Sequence, residues 1–259
     1  MNSDLAAIER WATVWLVTFN AKKTELITVS RKLDVLAFRS GAVPNPHPPI
    51  RFCDKDIKEQ SSVKIVGLTI SYNLSWAPHL AAVARHARRA IAILRRAKPY
   101  LSKPALQTIY KAFVRSRMEY CSPIWMGAPL YALNKLDAIQ HYARKIIGKP
   151  ATTDLQALSH RRAVSALCVL HRILHRTAPA AILDLCPARS STRGGPATRS
   201  AAPFFVPRSA RINHSNYWAR SFIPLTTHIF NSLPPAIQAV RHLQSFKTLV
   251  NSSVDLTFF

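Results

Sequence analysis

The feature that most constrains this chain is the absence of any carboxylate between Glu59 and Glu119, a stretch that holds eleven lysines and arginines. The cations of such a stretch have no acid of their own segment to pair with, and charged side chains are almost never buried unpaired. Any element formed here must therefore bury an apolar side and hold its cations outside. A second stretch of this kind, between Asp184 and Asp255, holds eight basic residues.

A long amphipathic helix is predicted over residues 77–98. Its apolar positions recur at helical spacing, namely Leu80, Ala84, Ala87, Ile91 and Leu94. At about 100° per residue, a set of arginines falls on an arc of about 120° beside that stripe. This set is Arg85, Arg88, Arg89, Arg95 and Arg96. The next helix begins near Ser102 and adds three more cations, Lys111, Arg115 and Arg117.

The whole chain repeats this charge imbalance. It has 36 lysines and arginines against 12 acids, which gives a net charge of +24 over 259 residues. A compact body this positive repels itself unless a polyanion neutralises it, so nucleic acid is the first partner to consider and an anionic membrane surface the second. A solvated basic face that serves only solubility is the alternative, although surfaces kept for solubility usually mix both signs.

The fold class predicted from the pattern is α+β, mostly α. A helix over Asp4–Trp15 and strands over Leu26–Ser30 and Val63–Ile70 indicate a mixed, incomplete sheet region. Further helices are predicted over about 102–117, 130–147 and 158–176. The predicted regions are a mixed segment 1–72, a helical domain 73–186, a basic Arg/Ser/Pro linker 187–218 and a helical tail 219–259.

Signals for catalysis are weak. The pair Gly148–Lys149 lacks the glycine that a phosphate-binding loop needs five residues before it, and the chain has six glycines in all. Asp54 and Asp56 stand beside two lysines, so a solvated loop is a better interpretation than a metal-binding carboxylate pair. No catalytic residue and no metal ligand is therefore assigned.

Cysteine, histidine and tryptophan give no clearer site. Cys168, His171, His175 and Cys186 would suit zinc by residue type, but packing along a helix explains their spacing better. The cysteines form no C-x-x-C pair and no apolar leader is visible, so an intracellular protein with reduced thiols is expected. Most of the five tryptophans lie among apolar neighbours, which favours core packing over base stacking for each.

Several segments, in order, resemble the reverse transcriptases of jockey-like non-LTR retrotransposons. V-G-L-T-I followed by L-S-W-A-P-H resembles the family block LG-x-x-I-D followed by L-x-W-x-x-H, and I-Y-K-A-F-V-R-S-R-M-E-Y resembles the block L-Y-x-x-x-V-x-P-x-x-E-Y. Val66, Ser116 and Phe230 depart from the residues usual in that family. The similar segments are Trp15–Lys32, Val63–Leu80, Ile109–Trp125, Leu136–Gly148, Leu158–Leu170 and Arg220–Pro234.

The family's catalytic motif, an aromatic residue followed closely by two aspartates, does not occur in these 259 residues. The resemblance therefore implies the C-terminal portion of an RNA-directed DNA polymerase, from the end of the palm through the thumb. The parent enzyme would use Mg²⁺, but no cofactor is expected in this chain, which we expect to be inactive alone. A stand-alone RNA- or DNA-binding protein derived from such an element, or the product of a decayed copy, are the alternatives.

The resemblance also implies roles for particular residues. Lys23 matches the lysine that lies near the nucleotide phosphates, and the turn Val66, Gly67 and Leu68 matches the primer grip. The helices over 77–147 correspond to the thumb, which holds the duplex of RNA template and DNA primer through phosphate contacts. The expected partners are that duplex and the upstream polymerase domains, not a membrane, and the expected location is the nucleus.

Overall fold

The structure is a computed structural model that describes residues 1–29, 49–149, 154–190, 204–206 and 216–253. It is mostly helical with short antiparallel strand pairs, which confirms the predicted α+β, mostly α class. The chain divides into two compact units, Met1–His79 and Leu80–Phe259.

In its described residues, 1–29 and 49–79, the first unit combines one helix with two short hairpins. Helix α1 spans Asn2–Val14, close to the predicted Asp4–Trp15, and a turn of 3₁₀-helix spans Ala21–Lys23. The strands that follow are β1 (Arg51–Phe52), β2 (Lys55–Asp56), β3 (Ser62–Ile65) and β4 (Leu68–Ser71), paired β1 with β2 and β3 with β4.

Two-residue turns with positive φ close both hairpins. Cys53 and Asp54 have φ of 49° and 57°, and Val66 and Gly67 have φ of 47° and 83°. Such turns match the twist of antiparallel strands, which is why they are common in tight hairpins. The prediction of one strand over Val63–Ile70 is therefore wrong, because the chain reverses at Val66–Gly67 and pairs Ile65 with Leu68. A β-branched residue such as Val66 seldom adopts this conformation, so the turn is strained.

In the first unit α1 packs against β1, with Ala12 and Phe52 buried, and Val63 of β3 is buried as well. The predicted strand over Leu26–Ser30 is not formed in its described part, 26–29, where the ladder contact is a single parallel bridge between Leu26 and Glu59. The prediction of core packing was also wrong for Trp11 of α1, which is 51% exposed, and for Trp15 just after it, which is 66% exposed.

The second unit is a stack of helices. Its elements begin with α2 (Ala77–Ala97), a 3₁₀ turn (Lys98–Tyr100), α3 (Lys103–Ile109), a π-helical segment (Tyr110–Arg115), α4 (Ser116–Glu119), α5 (Ser122–Trp125), α6 (Leu130–Ile147) and α7 (Leu158–Leu174). They continue with α8 (Ala180–Leu183), β5 (Ala188–Ser190), β6 (Phe204–Val206), α9 (Asn216–Ala219), α10 (Phe222–Asn231), α11 (Pro235–Gln238) and α12 (Leu243–Ser253). The helices predicted over 77–98, 130–147 and 158–176 are confirmed.

The region predicted as a basic linker, 187–218, is described only in pieces. Residues 188–190 and 204–206 pair as the antiparallel strands β5 and β6, and helix α9 begins at Asn216. Residues 191–203 and 207–215 of that prediction lie outside the described residues. The described part of the predicted tail, 219–253, contains the helices α10, α11 and α12.

The helix predicted to begin near Ser102 does so by capping. The Ser102 hydroxyl accepts a hydrogen bond from the Ala105 amide at 3.4 Å, and Pro104 occupies the first turn. The helical path then passes through the π-helical segment before continuing as α4. Its buried side chains are spaced by four residues throughout, at Leu106, Tyr110, Val114 and Met118.

The core of the second unit is built around α7, which is buried on nearly all sides. Leu167, Leu170 and Ile173 are fully buried, and the tail helices α10 and α12 pack against α7 through residues such as Phe230 and Phe246. The chain also makes one very close backbone approach. A Cβ at Gly127 would overlap the carbonyl oxygen of Arg220, so that position accepts glycine alone.

Candidate nucleic-acid interface

Helix α2 carries the predicted arginine set on its outer side. Its apolar stripe is buried, with Leu80 and Ala87 fully covered and Leu94 1% exposed, so the helix is fixed to the unit by that side. Arg85, Arg88, Arg89, Arg95 and Arg96 are all exposed, and none forms an ion pair with another described residue. From Arg85 to Arg96 the helix rises eleven steps of about 1.5 Å, so the row is about 16 Å long.

The cations of the following helix are not equivalent to that row. Lys111 Nζ lies 3.3 Å from Asp154 Oδ2, and Arg115 Nε lies 3.7 Å from Glu119 Oε1. Arg117 is exposed and has no ion pair within the described residues. Of the three predicted binding residues on this helix, Arg117 alone thus resembles the arginines of α2, because acids of the chain partly neutralise the other two.

Glu119 joins Arg115 to a second arginine, Arg161 of α7. Arg161 holds both carboxylate oxygens of Glu119, and the Arg161 Nη2 to Oε2 distance is 2.9 Å. This hydrogen bond raises the pKa of Arg161, while burial and the nearby Arg161 charge lower the pKa of Arg115. The acid therefore holds two helices together and contributes to structure rather than to an open binding surface.

A cleft between α2 and α6 adds one cation that sequence reasoning missed, Lys135. Its volume is about 290 Å³, and it is lined by Arg88, Ile91, Ala92, Arg95, Lys135, Ala138, Ile139 and Tyr142. Lys135 Nζ lies 5.6 Å from the centre of the Tyr131 ring, a cation–π distance that holds the ammonium near α6. The signal was present in the sequence, since Tyr131, Lys135 and Tyr142 recur at helical spacing on α6.

The residues that the resemblance singled out in the first unit lie in two separate elements. Lys23 is exposed in the 3₁₀ turn, which Asn20 caps by accepting a hydrogen bond from the Lys22 amide at 3.0 Å. Val66 and Gly67 form the exposed tip of the β3–β4 hairpin, with Val66 80% exposed, whereas Leu68 is buried beneath it.

The candidate metal ligands serve other contacts. Asp56 pairs with Arg51 across the β1–β2 hairpin at 3.1 Å. His171 is buried, donates from Nε2 to the Val240 carbonyl oxygen at 2.7 Å, and stacks on Phe246 with ring centres 4.4 Å apart. The four cysteines are free thiols. Within the described part of the chain, no three His, Cys, Asp or Glu side chains are grouped to hold a metal ion.

No helix of the described residues combines the length and the apolar run needed to cross a bilayer. Comparisons of the chain with models of known protein families, with curated proteins and with solved structures found no match.

Proposed function

We propose that this chain is a nucleic-acid-binding portion of a reverse transcriptase of the jockey-like non-LTR type, and that its helical unit holds the primer–template duplex as a thumb does. The observation that carries the proposal is the exposed arginine row of α2, which is fixed by a buried stripe and has no ion pair among the described residues. The ordered sequence blocks, from Trp15–Lys32 to Arg220–Pro234, supply the family assignment.

The size of the row fits a phosphate backbone. A strand of B-form duplex places one phosphate about every 3.4 Å along the axis, so a row about 16 Å long spans about five phosphates. Five arginines are available for them. Neutralising about five phosphates gives a slope near −4.5 when the logarithm of the association constant is plotted against the logarithm of salt concentration. Contacts of this kind position a duplex without reading its sequence.

The metal-dependent step of the parent polymerase is not assigned to this chain. Two-metal phosphoryl transfer needs clustered carboxylates, and the described acids are dispersed, with Asp56, Asp137 and Glu119 each bound to an arginine. The proposal therefore includes no catalytic residue. Incorporation of dNTPs by the pure chain, abolished by a metal chelator, would contradict it.

The experiment that tests the proposal reverses the charge of the three arginines of the row that do not line the cleft between α2 and α6. Arg85→Glu, Arg89→Glu and Arg96→Glu together change the net charge from +24 to +18, because each reversal removes two positive charges. The matched control makes the same change in net charge at Arg172, Arg241 and Lys247, which are exposed elsewhere in the unit. Binding of a blunt RNA–DNA duplex is measured by fluorescence anisotropy at several salt concentrations.

Each phosphate contact contributes about 0.9 to the salt slope, so we expect the slope of the α2 variant to become shallower by about 2.7, from about −4.5 to about −1.8. The slope of the control variant should change much less. Equal losses would mean that the net charge, and not this row, attracts the duplex. A flat salt dependence in the unmodified chain would reject phosphate binding altogether and favour the product of a decayed element. Equal affinity for RNA–DNA and DNA duplexes is expected, because the contacts are to the backbone.

A further inference from the structure

The cleft between α2 and α6 differs in chemistry from the arginine row beside it. Its floor is apolar, formed by Ile91, Ala92, Ala138 and Ile139, and its rim is cationic, formed by Arg88, Arg95 and Lys135. Tyr142, 43% exposed, adds an aromatic ring to the lining. A surface that serves phosphate alone needs neither the apolar floor nor the ring, so this combination calls for a ligand that is both flat and anionic.

Helical geometry separates the cleft from the rest of the row. Arg88 and Arg95 are seven residues apart, which places them on the same side of α2 about two turns from each other. Arg85, Arg89 and Arg96 lie on the neighbouring side at about 100° per residue, and they do not line the cleft. One helix thus presents three arginines of the row away from the cleft and, next to them, a recess that the other two arginines of the row share with Lys135.

We propose that this cleft binds one unstacked nucleotide, with its base against Tyr142 and the apolar floor and its phosphate at Arg88, Arg95 and Lys135. The inference rests on the proposed function and adds its ligand class, an unpaired nucleotide next to a duplex. The volume of about 290 Å³ is near the lower limit of small-molecule pockets, ~300 Å³, and cannot admit a duplex. Aromatic rings and arginines are the usual partners of bases taken out of the stack.

The nucleotide is either the unpaired end of a strand or a free mononucleotide, since both carry the same base and phosphate. The test uses two duplex probes with identical lengths and phosphates. One has a three-nucleotide single-stranded extension with normal bases, and the other has an abasic extension. Because charge is matched, the ratio of their affinities for the full chain reports on the bases alone.

Stacking of one base on an aromatic side chain corresponds to about fivefold or more in affinity. We expect the normal extension to bind at least about fivefold more tightly than the abasic one. Tyr142→Leu should bring that ratio close to one, and Tyr142→Phe should preserve it. Tyr100→Leu, at an 85% exposed tyrosine outside the cleft, is the matched control and should also preserve the ratio.

A second variant, Arg88→Gln with Arg95→Gln, changes exposed helix positions and should lower affinity for the normal extension more than for a blunt duplex. Competition with adenosine monophosphate separates the two sources of ligand, since displacement of the normal extension at millimolar nucleotide indicates that a free nucleotide also fits. A ratio near one in the unmodified chain, or a ratio that Tyr142→Leu leaves unchanged, would overturn the inference. If the unmodified chain bound the blunt duplex with no dependence on salt, that result would instead count against the proposed function.

Discussion

The ion pair between Asp137 of α6 and Arg162 of α7 allows a quantitative test of how the helical unit is held together. Arg162 is 5% exposed, and its two Nη atoms lie 3.1 and 3.2 Å from the Asp137 carboxylate oxygens. Asp137 is 38% exposed, so the two partners differ in their access to water. Removing the acid leaves a buried guanidinium without its charge partner, whereas removing the arginine leaves an acid that water can reach.

The asymmetry sets the expected magnitudes. Breaking a buried pair by removing one partner costs about 3–5 kcal/mol, and the partial exposure of Asp137 places Asp137→Ala at about 3 kcal/mol. Arg162→Met keeps an apolar stem in the core and should cost about 1 kcal/mol, the value of a typical hydrogen-bonded contact. For a unit of this size the difference of about 2 kcal/mol corresponds to about 4–8 °C in Tm.

The assay is thermal and urea unfolding followed by circular dichroism at 222 nm, with the double variant completing the cycle. The double variant should have about the same stability as Arg162→Met, because both lack the buried guanidinium charge. If Asp137→Ala were no more damaging than Arg162→Met, the burial of Arg162 would not be what makes this pair matter, and the reasoning would be refuted.

Three further outcomes are expected. Burial lowers the pKa of His171, so the folded state favours the neutral ring. The stability that this site contributes should be present above pH about 6.5 and fall as the pH drops through that value. His171→Gln should therefore make the unfolding midpoint depend less on pH between about 7.5 and 5.5. Val66→Asn should raise the stability of the first unit by about 1 kcal/mol in urea unfolding, because asparagine tolerates a positive φ better than valine does; a loss of stability would contradict the assigned strain. Gly127→Ala should lower the Tm by several degrees or prevent folding, since no Cβ fits against the Arg220 carbonyl, and an unchanged Tm would refute that close approach.

The long helices were predictable because their apolar positions repeat at helical spacing over four or more turns. The stripe from Leu80 to Leu94 predicted α2, and it also predicted the exposed side on which the arginines lie. The sequence also predicted helix α7 but not its burial on nearly all sides. The tail helices that pack on it begin at Phe222, well beyond the end of α7 at Leu174. Local periodicity carries no information about such partners.

The short elements and the ion pairs were the parts that sequence reasoning missed. The run Val63–Ile70 has the β-branched composition of a single strand, and a turn with valine at a positive φ is contrary to residue preference. Lys111 and Arg115 look like free cations in a stretch without acids, but Asp154 lies outside that stretch and Glu119 stands at its end. Pairing across 43 residues, as between Lys111 and Asp154, becomes visible only once the helices are packed.

The spacing of four between Leu106, Tyr110, Val114 and Met118 bears on how the length of this helix can change. In an α-helix each step of four advances about 400°, so three steps would carry the side chain about 120° away from the core. A π-helical turn holds about one residue more than an α-helical turn and reverses part of that drift. The π-helical segment Tyr110–Arg115 therefore accommodates one residue more than an α-helix of the same number of turns would hold. Deleting one residue there should yield a plain α-helix that keeps Met118 on the core side, because eleven steps of about 100° return to within about 20° of Leu106. A deletion within α6, which has no such turn, would instead misalign every buried position after it.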